Sequence, residues 1–296
     1  MDTITHTLFG LTIYGAFKKP DMTVREKRAL LFTAVAGSQI PDIDVISAWW
    51  DSAGRYQMWH RGITHSVFLV PVWAAFLAQA AKIIFKLPSL MPLFSIALLA
   101  VFIHDTSDIF NAWGTGYFEP VSTTRLTFGT IPIVDLVFWA IMAAGFLFVR
   151  YGRSRLPSYK VYRIVGLLLA LHVAIQTAQG AVILNQAEGK YEQAELSAEF
   201  IPGMFTLVGK QGNEVTISRG SAWTGLKTVE TLTSQEQADL ERLFRENPRA
   251  KTLYEWAPFV VVVADEQRIG IYDPRFIRNG ESFLAEYIEL VKSVEK

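Results

Sequence analysis

The sequence predicts an all-α polytopic membrane domain of four to six helices, residues 1–187, followed by a small extramembrane α+β domain, residues 188–296. Three observations lead there. Apolar residues make up 51% of the chain, high for a soluble protein. They gather before about residue 185 in six segments, several of which approach the roughly 20 residues that a helix needs to cross a bilayer. Beyond that point the pattern changes to short stretches divided by glycine and polar turns, the mark of strands.

The clearest apolar segment is 66–85, uncharged until Lys82. Next is 163–184, in which His172 is the only ionisable residue after Arg163. Residues 133–149 are shorter and carry Asp135 near their start, and 92–110 turn polar at His104, Asp105 and Asp108. Residues 30–47 end in Pro41-Asp42-Ile43-Asp44, and 3–17 form the shortest segment. In the second region, 195–197, 205–208, 214–218 and 228–232 read as strands. Thr233-Ser234-Gln235-Glu236 reads as a cap for a helix that Asn247-Pro248 stops. Residues 259–264 and 268–272 read as a hairpin, and 282–294 as an amphipathic closing helix.

Charge supplies the orientation. Formal net charge is zero, which gives no reason to expect nucleic acid as a partner. Residues 1–185 nevertheless carry fifteen Lys and Arg against ten Asp and Glu. If all six segments cross, twelve of those fifteen fall in the connections 18–28, 82–92 and 150–163, and only Arg55, Arg61 and Arg125 on the other side. The positive-inside rule makes the first side cytoplasmic. Asp2, His6, Asp42, Asp44, His60, His65, His104, Asp108 and Asp135 then all lie toward the opposite, extracytoplasmic face of a plasma-membrane protein. The second region lies there too.

The absence of cysteine excludes disulfides, thiolate zinc sites and cysteine nucleophiles. A metal would be held by imidazole and oxygen. His104 and Asp108 are spaced i and i+4, on one helical face, where an isolated pair could equally be a hydrogen-bonded couple. Their place in an apolar segment favours ligands, because ionisable groups there are costly. His60-Arg61-Gly62-Ile63-Thr64-His65-Ser66 holds two imidazoles that only a turn at the glycine could aim together. Its Arg61 suits phosphate or carboxylate, although a solvated interfacial arginine fits the position as well. Asp42 and Asp44 offer oxygen ligands, or a ligand and an acid that orients another ligand, against the simpler role of a helix cap. Asp2 and His6 repeat the i, i+4 spacing. His172 reads as a buried hydrogen-bonding histidine, and Asp135 as a helix-terminal acid or a site residue.

The opening Met1-Asp2-Thr3-Ile4-Thr5-His6, the stretch Gly37-Ser38-Gln39-Ile40-Pro41-Asp42-Ile43-Asp44, the run His60 to Ser66, His104-x-x-x-Asp108-x-x-Asn111, Gly114-Thr115 and Asp135 together resemble the YdjM/YfhP-like family. Its members are described as membrane-bound, predicted metal-dependent hydrolases. The resemblance covers about residues 1–185. More distantly, the order acid, histidine, His-x-x-x-Asp is similar to zinc-dependent phospholipase C and the P1-type nucleases. That likeness implies that Asp42 or Asp44, one of His60 and His65, His104 and Asp108 share an ion, with His6 at a neighbouring one. Those enzymes use further histidines after His-x-x-x-Asp, where this chain has only His172, so one or two ions of a divalent metal, zinc by analogy, are expected rather than three.

The expected activity is metal-dependent hydrolysis of a phosphoester in a membrane lipid or lipid-linked substrate. Asp42 or Asp44, whichever is not a ligand, would be the general base, and Arg61 would neutralise charge on phosphate. The alternative is a non-catalytic scaffold or regulatory protein whose metal pins the helices and whose C-terminal domain recruits a protein partner. A transporter fits less well, since the ionisable groups cluster at one face and no relay crosses the bilayer. Because the chain has no native cysteine, labelling tests the topology directly. Ser52→Cys should react with an impermeant maleimide from outside the cell and Ser154→Cys should not; the reverse result inverts the orientation.

Overall fold

The computed structural model describes residues 1–152, 156–278 and 281–290. Arg153, Ser154 and Arg155, which enter the charge and labelling expectations, and residues 291–294 of the expected closing helix lie outside the described residues. The chain divides into two compact units. One comprises Met1–Asp44, Arg61–Ala178 and Phe200–Pro202; the other comprises Val45–His60, Gln179–Glu199 and Gly203–Lys296.

The first unit is helical. Helix α1 (Thr3–Phe17) starts where the Asp2 carboxylate accepts from the backbone N–H groups of Ile4 and Thr5, both at 3.0 Å. Such a cap satisfies donors that the first turn leaves without partners. Helix α2 (Val24–Gly37) starts with a capping box: Glu26 N donates to Thr23 Oγ1 at 3.3 Å and Thr23 N to Glu26 Oε2 at 2.7 Å. Gly37 then lets the chain bend by 50° into a 3-10 segment, Ile40–Trp50, which contains Pro41 and both acids. A short helix α3 (Tyr56–Trp59), part of the second unit, and a 3-10 turn (Ile63–His65) precede α4 (Val70–Phe85) along the chain. Helices α5 (Met91–Asp108), α6 (Leu136–Tyr151) and α7 (Ser158–Ala187) follow.

Small residues set the helix spacing. Ala29, Ala34, Ala74, Ala78, Ala81, Ala97 and Ala100 are fully buried, which lets neighbouring backbones approach closely as membrane helices do. A Cβ on Gly37 would lie 2.8 Å from Ala100 Cβ, so α2 and α5 touch there through glycine and alanine. Larger side chains such as Phe76, Ile84, Phe146, Leu147, Leu167 and Leu171 point outward, as expected where the solvent is lipid.

Among the described residues, α5 and α7 are long and apolar enough to span, and the total is up to four if each bent pair is one span, the lower end of the four to six expected. Helix α1, at 15 residues, rises only about 22 Å, short of the roughly 30 Å hydrocarbon layer. Helix α6, at 16 residues, is also short. Apolar composition identified the segments; chain breaks at Gly37 and around Ser66 limited their length.

In the second unit, β1 (Gln193–Ala198), β2 (Phe205–Gln211), β3 (Glu214–Ser221) and β4 (Gly225–Thr233) form an antiparallel sheet in sequence order, with a bulge at Ile217/Ser218. These match the four expected strands. Helix α8 (Leu240–Glu246) starts later than expected, capped by Asp239, because β4 runs through Thr233. Asn247 ends it and at once caps α9 (Pro248–Trp256), with Pro248 in the first turn, where its missing N–H costs nothing. The expected hairpin forms as β5 (Val261–Ala264) and β6 (Arg268–Tyr272). A short pair, β7 (Ile277–Arg278) with β8 (Glu281–Ser282), follows. The closing helix is not formed in its described part. Residues Ala285–Glu289 are strand β9, antiparallel to β6, since the free edge of β6 offers them a hydrogen-bonded partner. Val208, Val215, Ile217, Phe259 and Val261 make the core between sheet and hairpin.

Glu195, half-buried on β1, has its carboxyl pushed above the usual range by burial; Asp273 adds to the shift and Arg275 only partly opposes it. A raised carboxyl favours the protonated fold, so its stabilisation is complete below the ordinary carboxylate pKa and lost as pH rises through the raised value. Glu195→Gln should therefore raise the sheet's melting temperature above that window, by about 2–4 °C, and leave it unchanged near pH 4. Thermal scans by circular dichroism across pH check this; a difference independent of pH would contradict it.

Candidate metal centre

Four side chains from three parts of the first unit converge. One oxygen of Asp42, one nitrogen each of His65 and His104, and one oxygen of Asp108 all lie within 4.8 Å of one another. Helix α5 supplies His104 and Asp108 one turn apart, the 3-10 segment after α2 supplies Asp42, and the turn before α4 supplies His65. His65, His104 and Asp108 are fully buried, whereas the Asp42 side chain remains 20% exposed.

The hydrogen bonds fix how the two imidazoles are protonated. His104 Nδ1 lies 2.8 Å from the Ser38 carbonyl, which can only accept, so Nδ1 carries the hydrogen. Thr64 Oγ1 donates to Asp44 Oδ2 at 2.9 Å and is left to accept from His65 Nδ1 at 3.1 Å. Asp44 Oδ2 is itself 3.5 Å from that nitrogen. In their neutral form both rings turn bare Nε2 atoms inward, and these nitrogens face each other at 3.2 Å. Asp42 Oδ1 stands 3.3 Å from one and 3.6 Å from the other, with Asp108 Oδ2 at 3.6 and 4.0 Å. Four electron-rich atoms in one place repel unless they share a cation. Imidazoles held through Nδ1 by a carbonyl or carboxylate, with Nε2 left for the ion, are the usual form of histidine metal ligands. The residues fit a divalent metal.

Arg61 holds the other side. Its backbone is left-handed, at φ 58°, a costly conformation for a residue with a side chain. It is retained because both ends are tied: Arg61 N donates to Asp44 Oδ2 at 2.9 Å, and the Arg61 carbonyl accepts from Gly116 N at 2.6 Å. The buried guanidinium reaches Asp108 Oδ2 at 3.0 Å, Asn111 Oδ1 at 2.7 Å and the Met1 carbonyl at 3.1 Å. The Met1 amino group also rests on Asp108.

The expected residues therefore take different places. Asp42, His65, His104 and Asp108 form the group. Asp44 orients His65 and Arg61. His6 stacks on His104, with ring centroids 3.7 Å apart, and lies 3.3 Å from Asp108 Oδ1; its Nδ1 is buried without a hydrogen-bond partner among the described residues. His60, whose ring stacks on Tyr56 at 5.0 Å, offers one ligand atom within 4.8 Å of one oxygen each of Asp42 and Asp44. Asp2 caps α1. Asp135 caps α6 and receives His172 Nε2 at 2.9 Å, so this pair is engaged with itself. Sequence reasoning missed the Ser38 carbonyl, invisible because every residue has one, and Thr64. Thr64 adjoins His65, and its hydroxyl was a usable signal.

A membrane-embedded helical protein with a buried His–Asp cluster of metal-ligand type is what this architecture defines. The chain belongs to the family described as YdjM inner membrane protein, which matches residues 1–182. It is 30% identical over 169 residues to the Bacillus subtilis (strain 168) protein printed as "Uncharacterized protein YfhP", covering 56% of this chain and 51% of that one. The chain thus spans about half the length of the curated relative it matches. No solved structure matches it, and no comparison supports the more distant similarity to phospholipase C and the P1-type nucleases.

Metal analysis tests the cluster. Purified protein should bind zinc, and His104→Ala and Asp108→Ala should each lower the bound metal at least tenfold. His172→Ala, outside the cluster, should match wild type. Equal content in all four proteins would leave a proton, not a metal, as the shared cation.

Proposed function

We propose that the chain is a membrane-bound metal-dependent hydrolase acting on a phosphoester of a lipid or lipid-linked substrate at the extracytoplasmic face of the inner membrane. The observation that carries this is the convergence of Asp42, His65, His104 and Asp108 with one member, Asp42, open to solvent. A wholly structural site would have no need of an accessible side. Two imidazoles and two carboxylates suit zinc.

Bound there, the metal would polarise a phosphoryl oxygen and lower the pKa of a water to about 7. The chain's own groups do the rest. Asp42 turns Oδ1 toward the histidines; we assign its second oxygen, Oδ2, as the acceptor for the proton of the attacking water. Asp44 keeps His65 in the tautomer that leaves Nε2 bare. Arg61 fixes Asp108 and places positive charge beside the position of a phosphate. His6 is the candidate for a neighbouring second ion. The sidedness is the one that the distribution of basic residues gives when all six apolar segments cross. For the second unit we propose recruitment of a protein partner, with Trp223, 84% exposed, as its most prominent apolar feature.

A structural metal is the competing reading, favoured by the complete burial of His65, His104 and Asp108. Activity separates the two. Zinc-loaded protein in detergent should cleave a phosphodiester such as bis(4-nitrophenyl) phosphate, and Asp42→Asn should lower kcat by about 100-fold or more. Zinc-loaded wild type without turnover on this or on phospholipid would leave the structural reading.

A further inference from the structure

A cavity of about 420 Å³ opens within the first unit between α1, α5 and α7. Its walls are hydrocarbon: Phe9 and Ile13 from α1, Leu99 and Ile103 from α5, Leu169 and Val173 from α7. At one end it is lined by Met1 and Ser107, the residue before Asp108. Met1 touches both Asp108 and Arg61, so this end adjoins the cluster. The other end has a floor. The Tyr162 ring packs where Gly15 has no side chain, and a Cβ there would collide with it; Arg163 Nε donates to the Ala16 carbonyl at 3.2 Å.

We propose that this groove holds one acyl chain of a phospholipid whose phosphate lies at the His–Asp cluster. The assignment of the headgroup end rests on the phosphoester reading above; the chain-binding groove stands on its own geometry. The volume is that of a small-ligand site. Ten residues of α1 separate His6, at the cluster, from Ala16, at the floor. That is about 15 Å at 1.5 Å per residue, the depth of one leaflet of a roughly 30 Å hydrocarbon layer. Charge at the Met1 end comes from Arg61, which donates to the Met1 carbonyl and would suit an anionic phosphate beside the cluster. Gly166 faces this space on α7, and a Cβ there would meet nothing within 4 Å, so the backbone leaves the groove unfilled.

The test uses full-length protein in liposomes containing phosphatidylglycerol with a diazirine in its acyl chain. After photolysis, label should concentrate on the groove residues Phe9, Leu99 and Ile103. It should fall at least fivefold in Gly166→Trp and in Ala170→Phe, which line the groove. Leu171→Trp, on the exposed face of α7, should label as wild type. Label spread evenly over outward residues such as Phe146 and Leu147, or undiminished in both groove variants, would overturn the proposal by showing only surrounding lipid. Hydrolysis separates this from the functional reading. Groove labelling without cleavage of any phosphodiester would keep the groove and remove the hydrolase. Loss of long-chain but not short-chain phosphodiester cleavage in Gly166→Trp would support both, and equal cleavage of both by that variant would remove the groove.

Discussion

Two imidazole nitrogens face each other at 3.2 Å because each ring is held by its opposite nitrogen. The Ser38 carbonyl takes the Nδ1 hydrogen of His104, and the Thr64–Asp44 pair takes that of His65. Neither ring can turn a hydrogen inward while it stays neutral, so the lone pairs and the oxygens of Asp42 and Asp108 meet in one place. Such an arrangement is stable only around shared positive charge. Much of the first unit's local structure serves to hold it: the bend after Gly37, the strained backbone of Arg61, and the close contact of α2 with α5 that brings Ser38 beside His104.

Arg61 shows how the burden is divided. Asp108 contributes one oxygen to the cluster, and a buried carboxylate needs compensating charge. Arg61 supplies it at Oδ2, the oxygen that also faces the histidines, and Asn111 and the Met1 carbonyl satisfy donors the guanidinium would otherwise bury alone. The left-handed backbone is the consequence of asking one residue to cap Asp44 with its N–H and Asp108 with its side chain. Asp105, one residue from His104, has both carboxylate oxygens buried without hydrogen-bond partners among the described residues.

Much of this was legible beforehand. Apolar runs located the long helices of the first unit, and short stretches divided by glycine and polar turns located the four strands of the main sheet. The spacing of His104 and Asp108 showed that they share a helical face, and the glycine in the His60 to Ser66 run pointed to a turn. Less visible was which member of each pair would be used. Asp42 and Asp44 are two residues apart, and His60 and His65 five apart; spacing alone does not show that Asp42 and His65 join His104 and Asp108. The end of the chain misled, because residues 285–289 suit either an amphipathic helix or a strand, and the exposed edge of β6 chose the strand.

The sequence by itself determined that ionisable groups would be placed in an apolar environment, because hydropathy and charge are properties of the residues and need no geometry. It also determined, by carrying no cysteine, that any metal would meet only nitrogen and oxygen. The tertiary structure alone decided that segments as far apart as residues 38 and 104 would exchange a hydrogen bond, and so which nitrogen of each imidazole would be bare. The tautomer of a histidine depends on its neighbour in space, and for His104 that neighbour is a backbone carbonyl no side-chain pattern reveals.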